Sequence, residues 1–234
     1  MTRRILFLGC SNLVDDNQNP NKEQIWKDVI FGQDVDIINL SWWGVGNQFI
    51  AGNCQDFLES RNVDYVYAQF TGLARFDMPV HEDFSIPDYD YAIKTYKRKY
   101  LCSGGKVGSW LGNDKTNEIF MPLYFKDEQY EHVAKESIQA VANTINFLDT
   151  KNIAYNWTFF YDITNPATSD EENYDGKINE FPKTLNKKNW ISKDPHTFCF
   201  ENKGLQEDQC HFDNNVYKQW LISVKDQIKY VQTN

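Results

Sequence analysis

Paired cysteines, long apolar runs and positive charge are all scarce in this sequence, and each shortage closes off a class of protein. The five cysteines, Cys10, Cys54, Cys102, Cys199 and Cys210, are odd in number and form no Cys-x-x-Cys pair. Neither a disulfide framework nor a zinc site is suggested, and a reducing compartment or assembly into a larger particle suits the thiols. No stretch approaches the ~18 consecutive apolar residues of a membrane span. The run Ile5-Leu6-Phe7-Leu8 after Arg3-Arg4 is too short for the core of a signal peptide, and polar Ser11, Asn12 and Asp15 follow at once. Against 33 Asp and Glu stand only 24 Lys and Arg, a formal net charge of −9. That balance argues against a nucleic-acid partner, which calls for a basic face. No G-x-G-x-x-G and no P-loop Lys-Ser/Thr is present, so no nucleotide site is expected. No cofactor, metal or membrane partner is called for, and there is no internal repeat or low-complexity tract.

What is present is enough for one domain spanning residues 1–234. Hydrophobic residues make up 41% of the 234, sufficient for a substantial core, and 7 Trp, 13 Tyr and 16 Phe supply both core area and material for a cleft or interface. Residues 4–9 are apolar on both faces, as in a buried parallel strand. Residues 22–31, with Asn21 as cap, form a helix with Ile25, Val29 and Ile30 inward. A strand over 35–40, a helix over 47–60 carrying Phe49, Ile50, Phe57 and Leu58, and a strand over 64–70 follow. The order β-α-β-α-β specifies an α/β fold, a doubly wound parallel sheet with helices on both faces. Residues 76–125 and 164–207 read as insertions, the second as a long polar loop region. Between and after them come a helix over 127–150, a strand over 156–161 and a closing amphipathic helix over 214–231.

Chemistry-bearing residues gather where such sheets place their sites, at the carboxyl ends of strands. The first strand ends in Gly9-Cys10-Ser11-Asn12, the second in a loop running to Gly44-Val45-Gly46-Asn47, the third in Thr71-Gly72. Ser11 is a candidate nucleophile, although serine at the N-terminus of a helix is common for capping alone. Near the other end, Asp208-Gln209-Cys210-His211 sets a carboxylate and an imidazole three residues apart on a loop-to-helix turn. Together they supply a nucleophile, a base and a group to orient the base. Of the other histidines, His81 and His132 have no carboxylate placed to orient them across a turn, and His196, after Asp194-Pro195, is the rival.

These blocks resemble the SGNH (GDSL-like) hydrolases, more narrowly a divergent branch seen in phage and marine bacterial proteins. The family's Gly-Asp-Ser block is similar to Gly9-Cys10-Ser11, its Asn-x-x-x-x-Gly block to Asn39-Leu-Ser-Trp-Trp-Gly44, and its Asp-x-x-His block to Asp208-Gln-Cys-His211. The resemblance covers about half the chain. It implies a three-layer flavodoxin-like sandwich and a serine esterase or acyl hydrolase, with carbohydrate O-deacetylation as the preferred substrate class. It casts Ser11, His211 and Asp208 as the catalytic triad. It also implies an oxyanion hole from the backbone N–H groups of Ser11 and Gly44 with a side chain from Asn47 or Thr71, and a substrate wall from Trp42 and Trp43. The family's third block, Gly-x-Asn-Asp, is missing: Thr71-Gly72-Leu-Ala-Arg75 stands there, and Gly112-Asn113-Asp114 does not follow a strand. That gap raises an alternative, a catalytically decayed structural or carbohydrate-binding component, for example of a phage particle, with protein assembly partners. The expected location is cytoplasmic or virion-associated.

Overall fold

Four parallel strands in the order β2-β1-β3-β7 form the centre of the computed structural model, which describes residues 2–14, 21–73, 75, 77–83, 92–94, 97–102, 127–160, 183–206 and 211–230. The strands are β1 (Arg3–Leu8), β2 (Val35–Asn39), β3 (Tyr65–Phe70) and β7 (Ala154–Phe159). Register follows the apolar runs: Ile5 lies between Ile37 and Tyr65, and Phe70 lies beside Phe159. Ile5–Leu8 of β1 and all six residues of β3 are buried, because strands covered on both faces are predominantly apolar rather than alternating; Gln69 is the one carboxamide in β3.

The helices are α1 (Lys22–Trp26, continued by a π-helical turn Lys27–Phe31), α2 (Asn47–Leu58), α3 (Asp127–Lys151), α4 (Pro195–Glu201) and α5 (Asn214–Val224). Strand order reverses between β2 and β3, so right-handed crossovers put α1 and α2 on opposite faces. α2 packs on α3, and α1 packs on α5. The result is a doubly wound α/β fold whose strand-order reversal, beside β1, marks the site-forming end.

Among the described residues, most aromatic side chains are buried in this core. Trp26, Phe7 and Tyr67 pack ring on ring at centroid distances of 4.4–5.8 Å, and the Trp26 Nε1–H donates to the Tyr217 hydroxyl at 3.1 Å, tying α1 to α5. Edge strand β7 is covered beyond Trp157, which forms an isolated parallel bridge with Trp190 and stacks on it at 5.8 Å.

Four expectations need correction. The 76–125 segment contains β4 (Asp77–Val80), β5 (Ala92–Lys94) and β6 (Lys99–Cys102), a small antiparallel sheet in the order β4-β6-β5, docked on α2 through a Phe49–Tyr100 ring contact of 5.6 Å. The 164–207 segment includes α4, capped by Asp194, whose carboxylate accepts from the Thr197 N–H at 2.7 Å. The final helix stops at Val224 and passes into a 3₁₀ turn, Lys225–Gln227, although Ile228 is still buried. Asn21 precedes α1 in a left-handed conformation (φ 72°) and its side chain does not cap the helix; its carbonyl accepts the Ile25 N–H instead. The remaining β7 and β2 boundaries fall within about two residues of those predicted.

Candidate active site

Ser11 opens a 3₁₀ turn, Ser11–Leu13, directly off the end of β1, and is 9% exposed. The turn is fixed from the neighbouring strand. Asn39, the last residue of β2, donates its amide N–H to the Leu13 carbonyl at 2.7 Å, and its Oδ1 accepts the Ser41 N–H at 3.1 Å. The parallel ladder continues past the strand ends, where Leu40 N–H donates to Phe7 O at 2.9 Å and Trp42 N–H to Gly9 O at 3.1 Å. The loop carrying Trp42 and Trp43 is therefore zipped to the serine turn. Trp42 is 51% exposed, a large apolar side chain left at the rim.

His211 arrives from the far end of the chain. Its ring packs edge-on against Trp43 with centroids 5.1 Å apart. Gly9, the β2 loop and the imidazole thus form a chain of contacts at the carboxyl edge of the sheet. The backbone around His211 is held at each residue. The Gln206 N–H donates to His211 O at 2.8 Å, and the Asp213 N–H to Gly204 O at 2.7 Å. The Phe212 carbonyl accepts from the Gln206 amide at 3.2 Å and from the Lys22 ammonium at 3.4 Å. Asp213 then caps α5, its carboxylate accepting the Asn215 and Val216 N–H groups. Lys22 is fully buried, with Nζ also 2.8 Å from Asn214 Oδ1 and 4.5 Å from the Tyr217 ring centroid. Asp208 lies outside the described residues, as do Cys210 and the Gly112-Asn113-Asp114 segment. The rival His196 stands on α4 against Phe160, at 5.2 Å, and Phe212, at 6.5 Å. Contrary to the expectation that His81 and His132 lack an orienting carboxylate, each has one, Asp83 at 3.4 Å and Glu136 at 3.2 Å, although both pairs are exposed.

The second loop is braced by residues the sequence did not single out. Gly44 has φ 66°, a left-handed turn that favours glycine. Two residues on, Gly46 donates its N–H to Asp77 Oδ1 at 2.9 Å, and Phe49 donates to Asp77 Oδ2 at 3.0 Å. A Cβ on Gly46 would sit 2.6 Å from that carboxylate, so the approach requires glycine. Asp77, first residue of β4, is a cap for α2 supplied from 30 residues downstream of Asn47 (77 − 47). Burial raises its pKa, while the Phe49 and Gly46 N–H groups and the Cys102 thiol pull the other way. Arg75 adds a hydrogen bond from Nη1 to Val45 O at 3.3 Å. No sequence signal marks such a pair, because a cap from a distant strand has no fixed spacing.

Asn47 and Thr71 are both fully buried. The Asn47 carboxamide donates to Thr71 O at 3.1 Å and to Ser137 Oγ at 2.8 Å, and accepts the Thr71 N–H at 2.9 Å. Both of its N–H donors are engaged, and it clamps the end of β3 to α2 and α3. The Thr71 hydroxyl is sealed from solvent and has no hydrogen-bond partner among the described residues. Among the described residues no His, Cys, Asp and Glu cluster is arranged to hold a metal, and no helix is long and apolar enough to cross a membrane.

No protein-family model matches the sequence, and no curated protein is significantly similar to it. The chain is similar to a solved structure of psychrotrophic esterase EstA from Pseudoalteromonas sp., in a form inhibited by monoethylphosphonate. That likeness covers 96% of this chain and 93% of the other at 10% identity and a TM-score of 0.46, a level that carries no inference about residues or reaction.

Proposed function

We propose that the chain is a serine ester hydrolase. Ser11 Oγ attacks the acyl carbonyl while His211 takes its proton, and Asp208 holds the imidazole in the productive tautomer. The tetrahedral intermediate collapses to an acyl-serine as His211 returns the proton to the departing alcohol. Water then attacks, activated by the same imidazole, and frees the acid and Ser11. The backbone N–H groups of Ser11 and Gly44 receive the oxyanion, and Asn47 and Thr71 position the loop between them rather than donate. Trp42 and Trp43 form the wall for the substrate, with an O-acetylated carbohydrate as the narrower substrate class.

The observation that supports this reading is the meeting of the chain's two ends. A serine held off the tip of β1 by Asn39 and an imidazole clamped beside Trp43 flank one loop at the edge where α/β sheets place their sites. A hole lacking one side-chain donor costs about 10²–10³ in rate, so slow turnover is expected. Purified protein should react with a fluorophosphonate probe at Ser11 and hydrolyse p-nitrophenyl acetate; Ser11→Ala should lose both while keeping its fold. Equal turnover by the two proteins would show that Ser11 is not the nucleophile.

A second reading has its own observation. With Asn47 engaged and Thr71 sealed, neither side chain reaches an oxyanion. A decayed site on a structural or carbohydrate-binding component fits that burial. Absence of both labelling and turnover selects it.

A further inference from the structure

A cavity of about 410 Å³ lies between α2, α3 and β6 and contains none of the residues assigned to catalysis. Its size falls within the ~300–1,000 Å³ range of small-molecule sites. Three carboxamides line it: Gln48 and Gln55 seven residues apart on one face of α2, and Asn143 on α3. The half-buried ring of Phe147, one turn after Asn143, and Tyr100 of β6 add aromatic surface, and Ala51, Gly52, Ala140 and Thr144 fill the rest of the wall. Among the described residues, Arg98 is the one charged side chain in the lining, and its guanidinium is ion-paired at 2.9 Å with the buried carboxylate of Asp56. The neighbouring Lys97 is likewise matched by Glu59 at 3.0 Å.

We infer that this cavity is a binding site for a neutral, hydroxyl-rich ligand, a short carbohydrate. The Gln55 amide donates one N–H to Glu59 Oε1 at 3.2 Å and Asn143 Oδ1 accepts from Gln139 at 2.8 Å, which leaves each an N–H and a lone pair, the complement of a hydroxyl that is both donor and acceptor. Charge recognition is absent because the cation in the wall is already neutralised within the protein. In a wall that mixes apolar and polar side chains, the Phe147 ring provides a flat apolar surface on which the C–H face of a pyranose packs. The site does not depend on the ester-hydrolase reading, and it serves either an enzyme or a binding component.

The test is titration of the full chain with cellotriose, maltotriose and chitotriose, followed by the side-chain amide NMR signals, with glucuronic acid as the charged control. At least one neutral trisaccharide should saturate below ~10 mM, a weak but measurable affinity, and shift the side-chain amide signals of Gln55 and Asn143. The double variant Gln55→Ala/Asn143→Ala should weaken that binding by ~10-fold or more. Both sites lie on helix faces where alanine favours the fold, and circular dichroism checks that it is kept. Ser11→Ala should bind with unchanged affinity. The inference is overturned if no neutral probe saturates, if glucuronic acid binds more tightly than every neutral sugar, if the double variant binds like wild type, or if Ser11→Ala abolishes binding. The last result would place the sugar at the proposed catalytic site instead.

Discussion

Replacing Asn47 with alanine tests whether the end of β3 is held as described. The change removes three hydrogen bonds at once: two N–H donations, to Thr71 O and Ser137 Oγ, and one acceptance from Thr71 N–H. Every partner is buried, since Thr71 and Ser137 are both 0% exposed, and the alanine methyl replaces none of the lost bonds. An unsatisfied buried polar group costs roughly 1–3 kcal/mol. Ser137 can turn its hydroxyl toward its own helix, which leaves the Thr71 N–H and C=O as the main orphans. The expected loss is therefore about 3–5 kcal/mol, a large share of a typical domain's stability. Urea unfolding of the two proteins, read as a shift in midpoint at constant slope, measures it. Asn47→Asp should be nearly as damaging, because it keeps the acceptor for Thr71 N–H but sets a carboxylate against the Thr71 carbonyl. A loss below about 1 kcal/mol for both variants would refute the clamp, since surface-like substitutions fall in that range.

Burial raises the pKa of Asp77 in the folded protein, so between its unfolded value near ~3.9 and the raised folded value the native state holds the extra proton. The stability that this carboxyl contributes should therefore fall as pH rises through that window and level off above it. Comparing unfolding free energies of wild type and Asp77→Asn from acid to neutral pH measures the difference. A wild-type advantage that grows with pH would show that the two N–H donors win over desolvation. Lys22→Met keeps the length of a fully buried side chain but removes its hydrogen bonds to Phe212 O and Asn214 Oδ1. It should cost roughly 1–3 kcal/mol and speed amide exchange across residues 211–214, and unchanged protection there would show that Lys22 does not hold the His211 turn.

The central sheet was legible because its signals are local. Ile5–Leu8 is an apolar run and Tyr65–Phe70 is apolar or aromatic except for Gln69, both of strand length, and the helices between them carry inward residues at helical spacing. The small sheet was not legible because β4 reads Asp-Met-Pro-Val, with a proline, and three strands of three or four residues give no period to detect. The Asp194-Pro195 start of α4 was visible as a cap followed by proline, but the polar residues around it concealed a helix of only seven. The wiring of the strand-end loops was not legible. Sequence shows that Asn47 is polar and sits after a glycine loop. It cannot show that the carboxamide turns inward to Thr71 and Ser137, nor that Asp77 reaches back to Gly46, because both depend on partners 24 to 90 residues away.

The meeting of the two ends also sets a clock on biosynthesis. Ser11 and His211 are 200 residues apart (211 − 11), so at ~5–20 residues per second the serine strand leaves the ribosome ~10–40 s before the imidazole. In that interval β1 can pair with β2 and β3, but the face of α1 that receives α5 stands uncovered, with Trp26 still lacking Tyr217 as its hydrogen-bond partner. A nascent chain therefore passes through a long stage with its sheet begun, an aromatic face open to water and its proposed chemistry absent. Release of the last helix both closes that face and brings His211 to Trp43.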